Sequence, residues 1–136
     1  MYKHKMTYTD YNGEERETEL YFNLNAAELA KMEAKTPGGL ESYLRGIIEA
    51  KDNGAIWDIL EQIVLASYGK RMPDGSFAKE NGVLAQKFTE TKAYPDFMVW
   101  LFENNTANAT EFLRQVIPSE DEMRVGKPKL EVVNNK

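Results

Sequence analysis

Polar and apolar side chains alternate along residues 3–10. His4, Met6 and Tyr8 fall on one side, and Lys5, Thr7 and Thr9 on the other. A two-residue period sends successive side chains to opposite faces, so this segment reads as a half-buried strand. Asn12-Gly13 follows, within Tyr11-Asn12-Gly13-Glu14. That pair suits a tight hairpin turn because both residues tolerate positive φ. Residues 16–24 read as the return strand, with Thr18, Leu20 and Phe22 on one side. A lone hairpin is marginal in water, so this one must pack on helices or pair with another chain.

The period then lengthens. Asn25-Ala26-Ala27-Glu28 has the form of a capping box, a side-chain acceptor followed three residues later by Glu. It opens a helix over 26–35 whose apolar positions are Leu29 and Met32, and Thr36-Pro37-Gly38-Gly39 breaks it. A second helix is predicted over 40–50, with Leu40, Tyr43, Leu44, Ile47 and Ile48 as one buried stripe. Asp52-Asn53-Gly54 is a stop. A third helix, 55–68, carries Ile56, Ile59, Leu60, Ile63 and Val64 on one face. These two stripes are the best-specified part of the expected core, and the short connection makes the two helices antiparallel or nearly so.

Gly69 is placed as a left-handed helix C-cap. Residues 70–75 read as an exposed turn, with Phe77 pinning the loop to the body. A fourth helix over 81–89 carries Leu84 and Phe88. A fifth begins near Tyr94-Pro95, where proline suits a first helical turn, and runs to about Glu103. The sixth, 107–116, takes Thr106 as N-cap, turns Phe112, Leu113 and Val116 inward and is stopped by Pro118. Residues 119–136 are polar and lack a helical period, so a flexible tail is expected there. Leu130, Val132 and Val133 form a short apolar patch within it, able to fold on a partner. The fold class is therefore mainly α: a small helical domain over 1–118 with an N-terminal β-hairpin (about 3–24), helices over about 26–117, and a flexible C-terminal tail.

Composition sharpens this picture. The 136 residues are 42% hydrophobic and 29% charged, enough for one real core and unlike a disordered chain. A net charge of −5 argues against non-specific nucleic-acid binding, which needs a basic face. No cysteine is present, which excludes disulfides, thiolate metal sites and cysteine nucleophiles and fits a reducing cytoplasm. The N-terminus lacks the apolar stretch of a signal peptide, and no apolar run is long enough to span a membrane. The Asn-x-Thr sequons at Asn104 and Asn108 are accordingly not expected to be glycosylated.

Residues that might carry chemistry are few. The single histidine, His4, lies in the first strand with no second ligand to pair with it, so it reads as an ordinary strand side chain. Asp52-Asn53-Gly54 and Asp74-Gly75 do not continue into the alternating oxygen ligands of a calcium loop and read as turns. Pro37-Gly38-Gly39 lacks the Lys-Ser/Thr of a phosphate loop. Glu14, Glu15, Glu17 and Glu19 read as a solvated face that also discourages edge-to-edge strand pairing. No catalytic residue, cofactor or metal is expected. Six consecutive apolar residues, Phe97-Met98-Val99-Trp100-Leu101-Phe102, do demand explanation. A helix apolar all round must be covered on all sides. It is a central core helix, a protein-docking face built on Met98, Val99, Trp100 and Phe102, or both, since exposed aromatic and methionine clusters mark interfaces.

Taken in order, several segments resemble those of one family. Tyr21-Phe22-Asn23-Leu24-Asn25-Ala26-Ala27-Glu28-Leu29 resembles the YFNLTKAEL stretch of the tail assembly chaperones of long-tailed (siphovirus-type) bacteriophages and prophages. Gly38-Gly39-Leu40, Ser67-Tyr68-Gly69-Lys70 and Pro73-Asp74-Gly75-Ser76-Phe77 follow at about the family's spacing. Phe88-Thr89-Glu90-Thr91-Lys92-Ala93-Tyr94 is similar to its F-x-x-T-x-A-Y segment, and Ile117-Pro118 closes the block. Asn25 stands where the family often has threonine, and Pro95-Asp96 where it often has Ser-Glu; neither change disturbs the fold.

The resemblance implies a non-catalytic protein that coats the hydrophobic tape measure protein in the host bacterial cytoplasm, keeps it soluble, helps recruit tail tube subunits and leaves before the tail is complete. It also implies a longer, frameshifted form in many members. Self-association into oligomers is a further expectation, and several copies on one partner would let weak contacts add by avidity. The rival readings are a structural neck or tail-completion protein retained in the virion, and a small phage protein inhibiting a host factor.

Overall fold

A computed structural model describes residues 1–117. The tail expected over 119–136, with its patch at Leu130, Val132 and Val133, and the stop at Pro118 lie outside the described residues. The chain opens with β1 (Tyr2–Thr9) and β2 (Glu15–Phe22), an antiparallel hairpin in which Tyr2 faces Phe22 and Thr9 faces Glu15. One face of the hairpin carries Tyr2, His4, Met6, Tyr8, Thr18, Leu20 and Phe22 toward the helices, and the other is polar, as the alternation predicts.

The turn differs from the Asn-Gly expectation. Only Gly13 has positive φ (83°), and the loop is organised by Asp10. Its carboxylate accepts from the backbone N–H groups of Asn12 and Glu14 (both 2.9 Å) and from Arg16 Nε (2.8 Å). An Asp side chain that mimics a backbone turn makes the second left-handed residue unnecessary.

Six α-helices are present among the described residues: α1 (Ala26–Lys35), α2 (Leu40–Glu49), α3 (Asn53–Ser67), α4 (Val83–Thr89), α5 (Ala93–Leu101) and α6 (Ala107–Val116). The capping box forms in full. Asn25 accepts from Glu28 N–H (2.7 Å), and the Glu28 carboxylate accepts from Asn25 N–H (3.0 Å). Glu33 reaches across the Pro-Gly-Gly break to accept from Leu40 N–H (2.9 Å), supplying the N-terminus of α2 with a partner and a negative charge. Asp52 does the same for α3 by accepting from Ala55 N–H, so α3 starts at Asn53 and takes in Gly54 rather than following it. Thr106 sits at the N-cap of α6 but does not cap it. Asn104, Asn105 and Thr106 all hold positive φ (57°, 56° and 65°), which turns the Thr106 side chain away from the helix N–H groups. Asparagine tolerates this left-handed region best among the non-glycine residues.

Two short strands, absent from the sequence reading, complete the sheet. β3 (Tyr68–Arg71) pairs with β2, Tyr21 facing Gly69 and Phe22 facing Tyr68. β4 (Phe77–Ala78) pairs with β3, giving the order β1-β2-β3-β4. Gly69 is thus a strand residue and not a helix cap. Its lack of a side chain serves close approach: a Cβ there would lie 2.5 Å from the Phe77 ring and 2.6 Å from the Ala78 carbonyl oxygen.

The core lies between the inner sheet face and the helices. Phe22, Ile63, Val64, Phe97, Leu101 and Phe112 are its most enclosed members. Lys79 ties its edge. The ammonium donates to the carbonyls of Asn23 (2.8 Å) and Ala66 (2.9 Å) and to the Glu28 carboxylate (2.6 Å), joining the end of β2, the start of α1 and the last turn of α3. A cation among the last carbonyls of a helix is favoured by the helix dipole.

Two glycines separate space from conformation. Gly69→Ala must push Phe77 and the Ala78 backbone apart and should lower stability by about 1–3 kcal/mol. Gly46→Ala, inside α2 with nothing within 4 Å of the added carbon, should raise it by about 1 kcal/mol. Urea midpoints of the two variants beside the parent check both signs.

Candidate functional site

The apolar fifth helix is covered differently on each side. Met98, with Ala93, Phe97 and Leu101, points into the core and is only 2% exposed. Trp100 is half-buried against β1, its ring centroid 4.3 Å from that of His4 and 5.8 Å from that of Phe97. Phe102, just past the end of α5, stacks on Trp57 of α3 at 4.3 Å and 19°. Val99 is 56% exposed. The four residues singled out from the sequence therefore do not share one face. Val99 and Phe102, three positions apart, lie on the same side of the helix and continue into Trp57, which is itself exposed. Trp57 was missed because it sits one position, ~100°, off the α3 stripe. An aromatic at the flank of a buried stripe is the signal that would have found it.

A second apolar surface lies where α2, α3 and α6 meet. Leu44, Ile47 and Ile48 from α2, Ile56 from α3, and Ala109 and Leu113 from α6 line a groove of about 290 Å³, with Lys51 on its rim. It exists because the α2 stripe is only partly covered. Leu40, Leu44 and Ile47 span the middle of the stripe and turn inward, whereas Tyr43 and Ile48 lie on its flanks and are exposed at 37% and 51%. The expectation of one fully buried stripe is corrected accordingly. A stripe ~140° wide at ~100° per residue is wider than the strip that α3 alone covers.

Ionisable groups are not gathered at either surface. Among the described residues no group of three or more His, Cys, Asp or Glu side chains is arranged to hold a metal ion, and no helix is long and apolar enough to cross a membrane. His4 is half-buried among the rings of Tyr2, Phe97 and Trp100. Burial pushes its pKa below 6.5, and the Tyr2 hydroxyl stands 3.5 Å from Nδ1. Burial raises the Tyr94 pKa, and the hydroxyl's donation to the Glu61 carboxylate at 2.6 Å raises it further.

The His4 shift has a definite sign. The folded protein holds the ring neutral where the unfolded chain would bind a proton, so its contribution is whole above about pH 6.5 and is lost as pH falls through the folded pKa. The melting temperature should fall between pH 7 and pH 5. His4→Phe, which keeps an aromatic ring against Trp100, should flatten that slope, and a thermal-melt series at half-unit pH steps reads the difference.

A family model described as phage tail assembly chaperone matches residues 1–131, nearly the whole chain, and the chain belongs to that family. No curated protein and no solved structure matches it.

Proposed function

We propose that, as a member of the phage tail assembly chaperone family, this chain binds the tape measure protein in the host cytoplasm, keeps it soluble and helps recruit tail tube subunits. The observation that carries the contact surface is the apolar run of Val99 and Trp57, both exposed, joined by the half-buried ring of Phe102. Its aromatic pair is already stacked, so little side-chain entropy remains to be lost on docking. Trp and other aromatics in such patches supply most of the energy of protein interfaces. A tape measure chain is expected to be largely helical, so an amphipathic helix laid against α5 and the start of α3 is the binding mode. Trp100 flanks this contact on the β1 side, and Met98 supports it from beneath. Weak contacts repeated along a long partner add by avidity, which favours several copies of the chaperone on each.

Co-expression with the tape measure protein followed by size-exclusion chromatography tests the reading. The parent chain should bring the partner into the soluble fraction and co-elute with it. Val99→Asp and Trp57→Asp alter exposed positions, so both should keep the parent's circular dichroism while weakening binding by about 2 kcal/mol or more, roughly 30-fold in Kd. A partner that stays insoluble beside a well-folded parent chain overturns the proposal. Recovery of the chain from purified virions would instead favour a structural neck or tail-completion role.

A further inference from the structure

We propose that the groove between α2, α3 and α6 is the seat of the chain's own residues 130–133. The occupant is argued from three observations. The groove runs beside the end of the described chain: Leu113 lines it, and α6 ends three residues later at Val116. Twelve residues lie between Ile117 and Leu130. At about 3.3 Å per residue they reach roughly 40 Å, far more than the ~15 Å length of α6. The remaining chain can therefore turn back along α6 and cross the groove without strain.

The side chains match the surface. Leu130-Glu131-Val132-Val133 is the densest aliphatic run after α6. Laid extended, it sets Leu130 and Val132 on one side, against Ile48, Ile56 and Leu113, and Glu131 on the other, toward the rim that holds Lys51. Lys51 lies two residues past the end of α2, where its backbone N–H donates to the Ile48 carbonyl (3.1 Å), so the two border the groove side by side and one register serves both the apolar and the ionic contact. Finally, the family match does not stop with α6 but continues through residue 131, taking in Leu130 and Glu131 as part of the same unit. Seated there, the segment covers the exposed flank of α2.

The absence of native cysteine makes the test direct. The full chain is prepared with Ile48→Cys and Val132→Cys, and separately with Val83→Cys and Val132→Cys; Val83 is an exposed apolar residue on α4, outside the groove. A tethered segment has an effective concentration near millimolar, so at about 1 µM protein a disulfide within one chain should outrun dimer formation by about 1,000-fold. The first pair should close at least tenfold faster than the second. Lys51→Glu should slow it about two- to five-fold, and adding Glu131→Lys should restore the rate. Equal closure of the two pairs would mean an unseated segment and overturns the proposal. Disulfide dimers in place of closed monomers overturn it as well, in favour of a second copy in the groove. The measurement needs no tape measure protein, so its outcome is independent of the chaperone reading.

Discussion

The ring of Phe22 is the contact through which sheet and helices hold one another. It ends β2, pairs across the sheet with Tyr2 on one side and Tyr68 on the other, and is fully enclosed. Its face lies on Phe97 of α5 (5.0 Å, 12°), its edge meets Phe112 of α6 (5.3 Å, 85°), and Phe88 of α4 closes a third side (6.2 Å, 65°). Stacked and edge-on pairs of this kind contribute roughly 0.5–1.5 kcal/mol each beyond the area they bury. Through these rings Phe22 joins the outer strand, the added strand and three helices. The alternation of β2, the register of β3 and the inward face of α5 are all constrained by where this ring must sit.

That constraint explains what the sequence made legible and what it concealed. Periodic elements were plain: the hairpin, the Asn25–Glu28 capping box and the existence and rough limits of six helices follow from spacing and cap chemistry. What escaped were features decided by non-local packing. β3 and β4 are four and two residues long, too short for a period to emerge, and exist because β2 offers an edge. Gly69 follows a helix, so a cap was the local reading; only the approach of Phe77 from eight residues on shows its use. Asn12-Gly13 signalled a turn correctly, but Asp10 decided its geometry. Thr106 had the residue type of an N-cap and not the backbone. Lys79 carried no pattern at all, since its three acceptors lie in three separate segments.

The candidate docking surface was half legible for a related reason. An unbroken apolar run announces that a helix has more greasy surface than one core face can absorb, and it cannot say which neighbours cover the excess. The structure divides α5 among three fates: Met98 inward, Trp100 against the hairpin, Val99 and Phe102 toward the outside with Trp57. The same ambiguity in α2 produced the groove. In both helices the centre of the stripe behaves as the period predicts and its flanks do not, because coverage at the flanks depends on elements distant in the chain.

Lys79 has a bearing on how the molecule comes apart. Its ammonium holds acceptors from residues 56, 51 and 13 positions back along the chain, at a point where the hairpin, α1 and α3 converge. Peeling the hairpin away would strand a cation and three acceptors in a partly enclosed place, a state penalised more heavily than the fully solvated one. The knot thus discourages partial opening and makes the N-terminal and central segments rise and fall as one cooperative unit. For a protein with exposed apolar side chains such as Val99 and Trp57, such all-or-none behaviour keeps frayed, adhesive intermediates scarce, so that the surface on display is the folded face and not a melted edge.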